Sequence, residues 1–164
     1  MKKRDFVIGG SAILGAAWIY SNWTRRTPEM TASKKEFAIQ KSEKEWEQQL
    51  TKDQFYVLRK HGTERAGTSH LDKIYDPGTY VCAACKTPVF TSETKFDSGT
   101  GWPSFYAPIE GAIETSVDRS LFMTRTEVHC SKCGGHLGHV FNDGPAPTHQ
   151  RYCMNGVSLE FEEA

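Results

Sequence analysis

The sequence lacks an excess of charge of either sign, since its 164 residues carry 20 Lys and Arg against 20 Asp and Glu. Nucleic-acid-binding proteins usually show a basic excess, so the composition argues against that class. The chain also has no internal repeat and no low-complexity tract. Hydrophobic residues make up 38% and aromatic residues 12%, which is enough for a packed core and argues against wholesale disorder. The length fits one domain.

The charge balance hides an asymmetry between the first 30 residues and the rest. Residues 1–30 have a net charge of +3 and the remaining chain has −3. Phe6 to Thr24 is a run of 19 uncharged residues that follows Lys2-Lys3-Arg4 and precedes Arg25-Arg26. A basic segment followed by an apolar stretch is typical of an export signal. A buried core helix is the alternative, but charges on both flanks disfavour it. We therefore assign residues 1–30 to a signal or anchor and residues 31–164 to the functional domain.

The sequence leaves open whether this segment is cleaved or retained. Small residues at Gly15 and Ala17 could precede a cleavage site, although no Ala-x-Ala is present. As an anchor, 19 residues are near the lower limit for spanning a bilayer. The stretch from Lys3 to Ile8 is similar to a twin-arginine export signal with Lys in place of the first Arg. Either reading predicts a domain outside the plasma membrane, periplasmic or anchored.

In the remaining chain, a residue pattern typical of helices is followed by one typical of β-strands. Pro28–Ser33 is typical of a linker, and apolar spacing predicts helix over Lys34–Leu58. Ser42 to Glu45 matches a capping box, and Thr51 with Gln54 could begin a second helix. Short apolar runs between turn residues then predict an antiparallel β fold. The predicted strands are Gly78–Cys82, Thr87–Phe90, Ile113–Val117, Thr124–His129, His139–Phe141, Arg151–Met154 and Val157–Phe161.

Four of the five cysteines form two identically spaced pairs, Cys82-x-x-Cys85 and Cys130-x-x-Cys133. Four thiolates can complete a tetrahedral zinc site. Because 44 residues separate the pairs, each must end its own hairpin and folding must bring the two together. Two disulfides or a redox pair are the alternatives, but a redox CxxC normally precedes a helix in a βαβ unit, which is absent here. We expect structural zinc.

The fifth cysteine, Cys153, is left outside these pairs. On a strand, Arg151, Cys153 and Asn155 would share one face. A nearby guanidinium favours the thiolate, which is the reactive form. A buried structural cysteine is the alternative, and the polar neighbours weaken it.

Two further motifs are open to several interpretations. In His136-Leu137-Gly138-His139 either histidine could donate a proton, bind a metal or be structural. The loop Gly99 to Phe105 contains Trp102 between glycines, and it could form a pocket wall or only a turn with a core Trp.

Together these residues closely resemble the MsrB-type peptide-methionine (R)-S-oxide reductases. The resemblance covers about residues 40–162. Its marks are Gly62-Thr63-Glu64-Arg65, the two CxxC pairs, Ser98-Gly99-Thr100-Gly101-Trp102-Pro103-Ser104-Phe105, His136-Leu137-Gly138-His139-Val140-Phe141 and Arg151-Tyr152-Cys153-Met154-Asn155.

The resemblance implies a mainly β fold of two antiparallel sheets with short N-terminal helices and a structural zinc on Cys82, Cys85, Cys130 and Cys133. It implies that Cys153 is the nucleophile and that Trp102 holds the substrate methyl group. The residues around the sulfoxide and Cys153 would be His139, Arg151 and Asn155, with His136 and Asp143 supporting. Attack on methionine sulfoxide by a thiolate gives methionine and a cysteine sulfenic acid.

The resemblance also implies the partners, which are oxidised proteins bearing methionine (R)-sulfoxide and a thioredoxin-like or small-thiol reductant. It further implies that the activity serves protein repair under oxidative stress. Two positions depart from the family pattern: Thr100 stands where many members carry a resolving Cys, and Ala66 follows Glu64-Arg65 where Pro-Phe is frequent. The alternatives are a zinc-bearing binding module without catalysis and another thiol enzyme such as a peroxidase.

Overall fold

The computed structural model describes residues 36–120 and 123–164. The predicted signal or anchor at residues 1–30 and the linker that follows it lie outside these residues. Within the two ranges, no helix combines the length and apolar content that crossing a membrane requires.

Two short helices begin the described chain, α1 (Glu43–Gln49) and α2 (Lys52–Lys60). Both predicted capping boxes are present: the Ser42 side chain accepts from the backbone N–H of Glu45, and the Thr51 side chain does the same for Gln54. The prediction of one helix over Lys34–Leu58 is therefore wrong in two respects: residues 36–42 are not helical, and Leu50 adopts an extended conformation between the two helices.

The described residues otherwise form nine strands in two antiparallel sheets, as expected. The strands are β1 (Gly78–Cys82), β2 (Pro88–Thr91), β3 (Lys95–Phe96), β4 (Ser104–Phe105), β5 (Ile113–Asp118), β6 (Arg125–Cys130), β7 (His136–Phe141), β8 (Arg151–Met154) and β9 (Leu159–Glu163). The smaller sheet has the order β2-β1-β9 and the larger β3-β4-β8-β7-β6-β5. The predicted bounds of β1 and β8 match, whereas β3 and β4 were not predicted and β7 begins three residues earlier than predicted.

Aromatic side chains from both sheets form the centre of the core. Tyr80, Phe90 and Phe105 are fully buried, and the rings of Phe90 and Phe105 stack with centroids 4.4 Å apart. The Tyr80 ring meets Phe105 edge-on at 4.9 Å, and its hydroxyl donates to the carbonyl of Ile74. Full burial of one such side chain contributes about 1.5–3 kcal/mol, so these rings fix how the sheets pack.

The order of the larger sheet places Cys153 near its middle. Cys153 on β8 pairs with Ser104 on β4 and with His139 on β7, and His139 in turn pairs with Glu127 on β6. Directly paired residues of neighbouring antiparallel strands project to the same face. The register therefore aligns a cysteine, a histidine and a carboxylate in one row.

Candidate active site and metal centre

The two CxxC pairs each lie at a hairpin turn, as predicted. Cys82 ends β1 and Cys130 ends β6, and the second cysteine of each pair lies in the turn that follows. Left-handed backbone at Lys86 and Gly134 allows both turns, with φ of 59° and 67°. The N–H of Lys86 bonds the carbonyl of Cys82, and that of Gly134 bonds the carbonyl of Cys130.

Folding brings the four thiols into one cluster. The sulfur atoms lie within 4.8 Å of one another, with Cys82 and Cys133 at 3.8 Å and Cys85 and Cys130 at 3.6 Å. In a tetrahedral site with Zn–S bonds of about 2.3 Å, sulfurs are about 3.8 Å apart. None of the five cysteines is disulfide-bonded, so the disulfide alternative is not realised. The cluster has the donor set and spacing that a zinc ion requires.

Cys153 lies apart from that cluster, at a small cavity on the face of the larger sheet. The cavity has a volume of about 110 Å³. It is lined by Thr63, Trp102, Arg125, Gly138, His139, Phe141, Cys153 and Asn155. The structure therefore brings four predicted site residues, Cys153, His139, Asn155 and Trp102, to the wall of one cavity.

Hydroxyl groups border the Cys153 sulfur on the side opposite His139. The Thr100 hydroxyl lies 3.8 Å from the sulfur, and Ser98 bonds both Thr100 at 2.8 Å and Ser104 at 2.7 Å. Burial raises the pKa of the Cys153 thiol, whereas the hydroxyl groups and the Arg151 guanidinium act in the opposite direction. The Arg151 guanidinium thus favours the thiolate, as the sequence predicted, but burial has the larger effect and the pKa of Cys153 is raised.

His139 is held by a carboxylate on the edge strand β5, which lies two strands away beyond β6. Its Nε2 atom lies 2.8 Å from Asp118 Oδ2, and Arg125 donates to the same oxygen at 2.7 Å. Burial lowers the pKa of His139, and the bond to Asp118 opposes that shift. Asp118 thus orients the imidazole that faces Cys153 across the strand pair.

Asn155 connects the cavity to the loop that contains Glu64. The Asn155 side chain accepts from the Glu64 N–H at 2.9 Å and donates to the Leu137 carbonyl at 3.1 Å. The Glu64 carboxylate accepts from the N–H groups of Gly156 at 2.5 Å and Val157 at 3.0 Å. These bonds fasten the Glu64 loop against the end of β8.

The same loop also positions Trp102. The Trp102 indole N–H donates to the Glu64 carbonyl at 3.2 Å, and the ring lines the cavity. Trp102 thus belongs to a pocket wall, as one of the two interpretations of its loop expected.

Arg151 and Asp143 lie beside the cavity and do not line it. The guanidinium makes two bonds of 2.8 Å to the Asp143 carboxylate and stacks 4.4 Å from the Phe141 ring centroid. The Phe141 ring, on which the guanidinium stacks, lines the cavity itself. The predicted roles of Arg151 and Asp143 near the sulfoxide stay predictions.

His136 is buried behind His139, with ring centroids 5.2 Å apart, and it does not line the cavity. Its Nδ1 atom lies 2.7 Å from Glu127 Oε1, and His61 Nδ1 lies 2.8 Å from the same oxygen. Burial alone would raise the pKa of Glu127, but the bonds from His136, His61 and Ser116 outweigh it and lower the pKa. A direct substrate contact by His136 stays a prediction.

Sequence reasoning did not single out Asp118, Arg125 and Glu127, although all three contact the site histidines or line the cavity. Their positions depend on the pairing of β5, β6 and β7, which no local pattern reveals. Thr63 and Glu64 were named only within the family motif Gly62-Thr63-Glu64-Arg65, without a role for either side chain. Alternation along β5 and β6 would have placed these carboxylates on one face, but not opposite particular histidines.

Comparison with known proteins finds a family match and close relatives. The SelR domain family matches residues 50–163. A peptide methionine sulfoxide reductase MsrB from Leptospira interrogans is 54% identical over 128 residues, which cover 77% of this chain and 98% of the relative. The MsrB of Methanosarcina barkeri is 55% identical over 126 residues, or 76% and 89% of the two chains. The chloroplastic peptide methionine sulfoxide reductase B1 of Arabidopsis thaliana is 53% identical over 130 residues, covering 79% of this chain and 64% of the relative.

Proposed function

This chain belongs to the SelR domain family, and from that membership we propose that it reduces methionine (R)-sulfoxide in proteins with Cys153 as the nucleophile. The chain is a peptide-methionine sulfoxide reductase and a thiol-dependent oxidoreductase. One observation supports the nucleophile most strongly: Cys153 lies outside the cluster of four cysteines and lines a small cavity together with His139 and Trp102.

The cavity matches the reacting end of a methionine sulfoxide side chain. A cavity needs roughly 10–15 Å³ to hold one water molecule, so about 110 Å³ holds a group of several heavy atoms. Trp102 and Phe141 present apolar ring surface to the substrate methyl group, while His139 and Asn155 supply polar atoms. Thr63 also borders a broader groove of about 720 Å³, which provides room for the peptide on either side of the sulfoxide.

The reaction needs a nucleophile for sulfur and a proton donor for oxygen. The Cys153 thiolate attacks the sulfoxide sulfur, and His139 gives a proton to the departing oxygen. The oxygen passes to Cys153, so the products are methionine and a Cys153 sulfenic acid. Asp118 holds the His139 ring in place during this transfer.

Regeneration requires two electrons, which two external thiol groups supply as they become a disulfide. The reductant's thiolate attacks the sulfenic sulfur and forms a mixed disulfide, while the hydroxyl group takes up one proton and leaves as water; a second thiol then frees Cys153. We propose a thioredoxin-like protein or a small thiol for this step, because the other four cysteines form a separate cluster.

We also propose that Cys82, Cys85, Cys130 and Cys133 hold a structural zinc ion. The ion would cross-link the β1–β2 and β6–β7 hairpins. Such an ion supplies stability and takes no part in the redox step, because all four positions are filled by protein thiolates.

Export by the N-terminal segment stays a prediction. It rests only on the sequence pattern of basic residues followed by a run of uncharged ones. A reporter active only in the cytoplasm, fused after Ala164, tests it. We expect no reporter signal, whereas full signal in a soluble fraction would contradict export.

An assay with each epimer of methionine sulfoxide, free and in a peptide, tests the proposed function. We expect thiol-dependent reduction of the R epimer with preference for the peptide. Turnover of hydrogen peroxide with no sulfoxide reduction would indicate a thiol peroxidase, and no turnover with either would indicate a binding module.

A further inference from the structure

A cluster of two histidines and one glutamate lies next to the reductase cavity and outside its lining. We propose that His61, Glu127 and His136 form a second metal site, which takes a divalent transition cation such as nickel or zinc. The site is separate from the four-cysteine cluster, and it goes beyond the proposed reductase activity.

Three different elements bring the ligand atoms together. His61 caps the end of α2, Glu127 is on β6 and His136 begins β7. Both Nδ1 atoms approach Glu127 Oε1, at 2.8 Å and 2.7 Å, and all three ligand atoms lie within 4.8 Å of one another. Neighbouring ligands bound about 2.1 Å from one ion are about 3.0–3.4 Å apart, so each of the two nitrogen–oxygen distances must lengthen by only about half an ångström.

The donor set selects the class of cation. Two imidazole nitrogens and one carboxylate oxygen suit zinc, nickel, cobalt and copper, whereas magnesium and calcium prefer oxygen ligands only. Ser116 donates to the other carboxylate oxygen, Glu127 Oε2, at 2.7 Å. This bond turns Oε1 toward the two histidines, as a supporting partner does at established metal sites.

The cluster combines two fixed ligands with one accessible ligand. The side chains of His136 and Glu127 are 2% and 11% exposed, whereas that of His61 is 64% exposed. Because His61 faces solvent, an ion can enter on its side and keep water in the remaining coordination positions. The exposed histidine can also make the small displacement that coordination requires.

Titration with nickel sulfate tests the site in the full-length Cys153→Ser protein, in which the free thiol cannot bind the metal. Isothermal calorimetry should show about one bound nickel per chain, while the zinc content stays constant before and after. Adding His61→Asn should weaken nickel binding at least tenfold. His149→Asn is the matched control, because His61 and His149 both have left-handed backbone, with φ of 55° and 58°, which Asn tolerates.

Copper coordination gives a second readout that a purely structural role of His61 would not move. Electron paramagnetic resonance of the Cu²⁺-loaded protein should show two imidazole nitrogens, and His61→Asn should leave one. The alternative is that both histidines only hydrogen-bond to Glu127. No nickel binding, or equal binding in the His61→Asn and His149→Asn proteins, would establish that alternative and overturn the proposal.

Discussion

The hydroxyl oxygen of Thr100 lies 3.8 Å from the sulfur of Cys153. In many members of the resembled family this position carries a cysteine that resolves the sulfenic acid. A hydroxyl group cannot form a disulfide, and the remaining four thiols are in the other cluster. The contact therefore favours recycling by an external thiol.

The Cys153 sulfenic acid should persist after one turnover without reductant. One equivalent of peptide methionine (R)-sulfoxide followed by dimedone should give an adduct on Cys153 in intact-mass spectrometry, with the zinc retained. A stoichiometric disulfide between Cys153 and a cluster cysteine, with zinc released, would instead make that cysteine the resolving thiol.

Thr100→Cys should create the missing resolving step, because position 100 adjoins the Cys153 sulfur. We expect a disulfide between the introduced thiol and Cys153 after one turnover, seen as the loss of two thiols and of the dimedone adduct. Thr100→Ser is the control that keeps the hydroxyl group. Persistent sulfenic acid in the Thr100→Cys variant would show that the two side chains cannot reach disulfide geometry.

Cys153→Ser should abolish sulfoxide reduction while zinc content and circular dichroism stay unchanged. A hydroxyl group is a far weaker nucleophile than a thiolate, and position 153 contributes nothing to the metal cluster. Substantial residual turnover would remove Cys153 from its proposed role.

His139→Ala should slow reduction by roughly 10²- to 10⁴-fold, which is the usual contribution of a general acid. Burial lowers the pKa of His139 and raises that of Cys153. The active form with an imidazolium and a thiolate is therefore a minor species, and its abundance follows a bell-shaped curve. As pH rises, the thiolate increases but the imidazolium is lost.

The variant without His139 should thus lose the alkaline decline, and its rate should rise with pH until Cys153 is ionised. Asp118→Asn is the companion variant, because it keeps the imidazole and removes the carboxylate that orients it. An unchanged rate and pH profile for His139→Ala would move the donor role elsewhere, with His136 the first candidate.

Cys85→Ser or Cys130→Ser should remove the zinc and destabilise the domain severely. Structural zinc contributes on the order of 10 kcal/mol, comparable to the whole free energy of unfolding of a domain. Atomic absorption and thermal unfolding measure the two effects. A metal-free variant with the melting temperature of the parent protein would contradict a structural role for the ion.

Local chemistry in the sequence was sufficient for several features. The two capping boxes form between residues three apart, so Ser42 with Glu45 and Thr51 with Gln54 could be recognised directly. The CxxC spacing identified two turn-forming pairs of cysteines. Cys153 was the one cysteine outside these pairs. Turn residues also marked the bounds of β1 and β8, because Pro77 precedes the first strand and Asn155-Gly156 follows the second.

Long-range folding decided which of these pieces meet. Asp118 reaches His139 across 21 residues and Glu64 reaches Asn155 across 91, because strand order and register place them side by side. The two-residue strands β3 and β4 exist only as partners in the sheet, and β4 carries Ser104 to Cys153. The amino-acid sequence specified the chemical groups directly. Their alignment depended on long-range pairing, in which a register shift of one residue would turn each side chain to the opposite face.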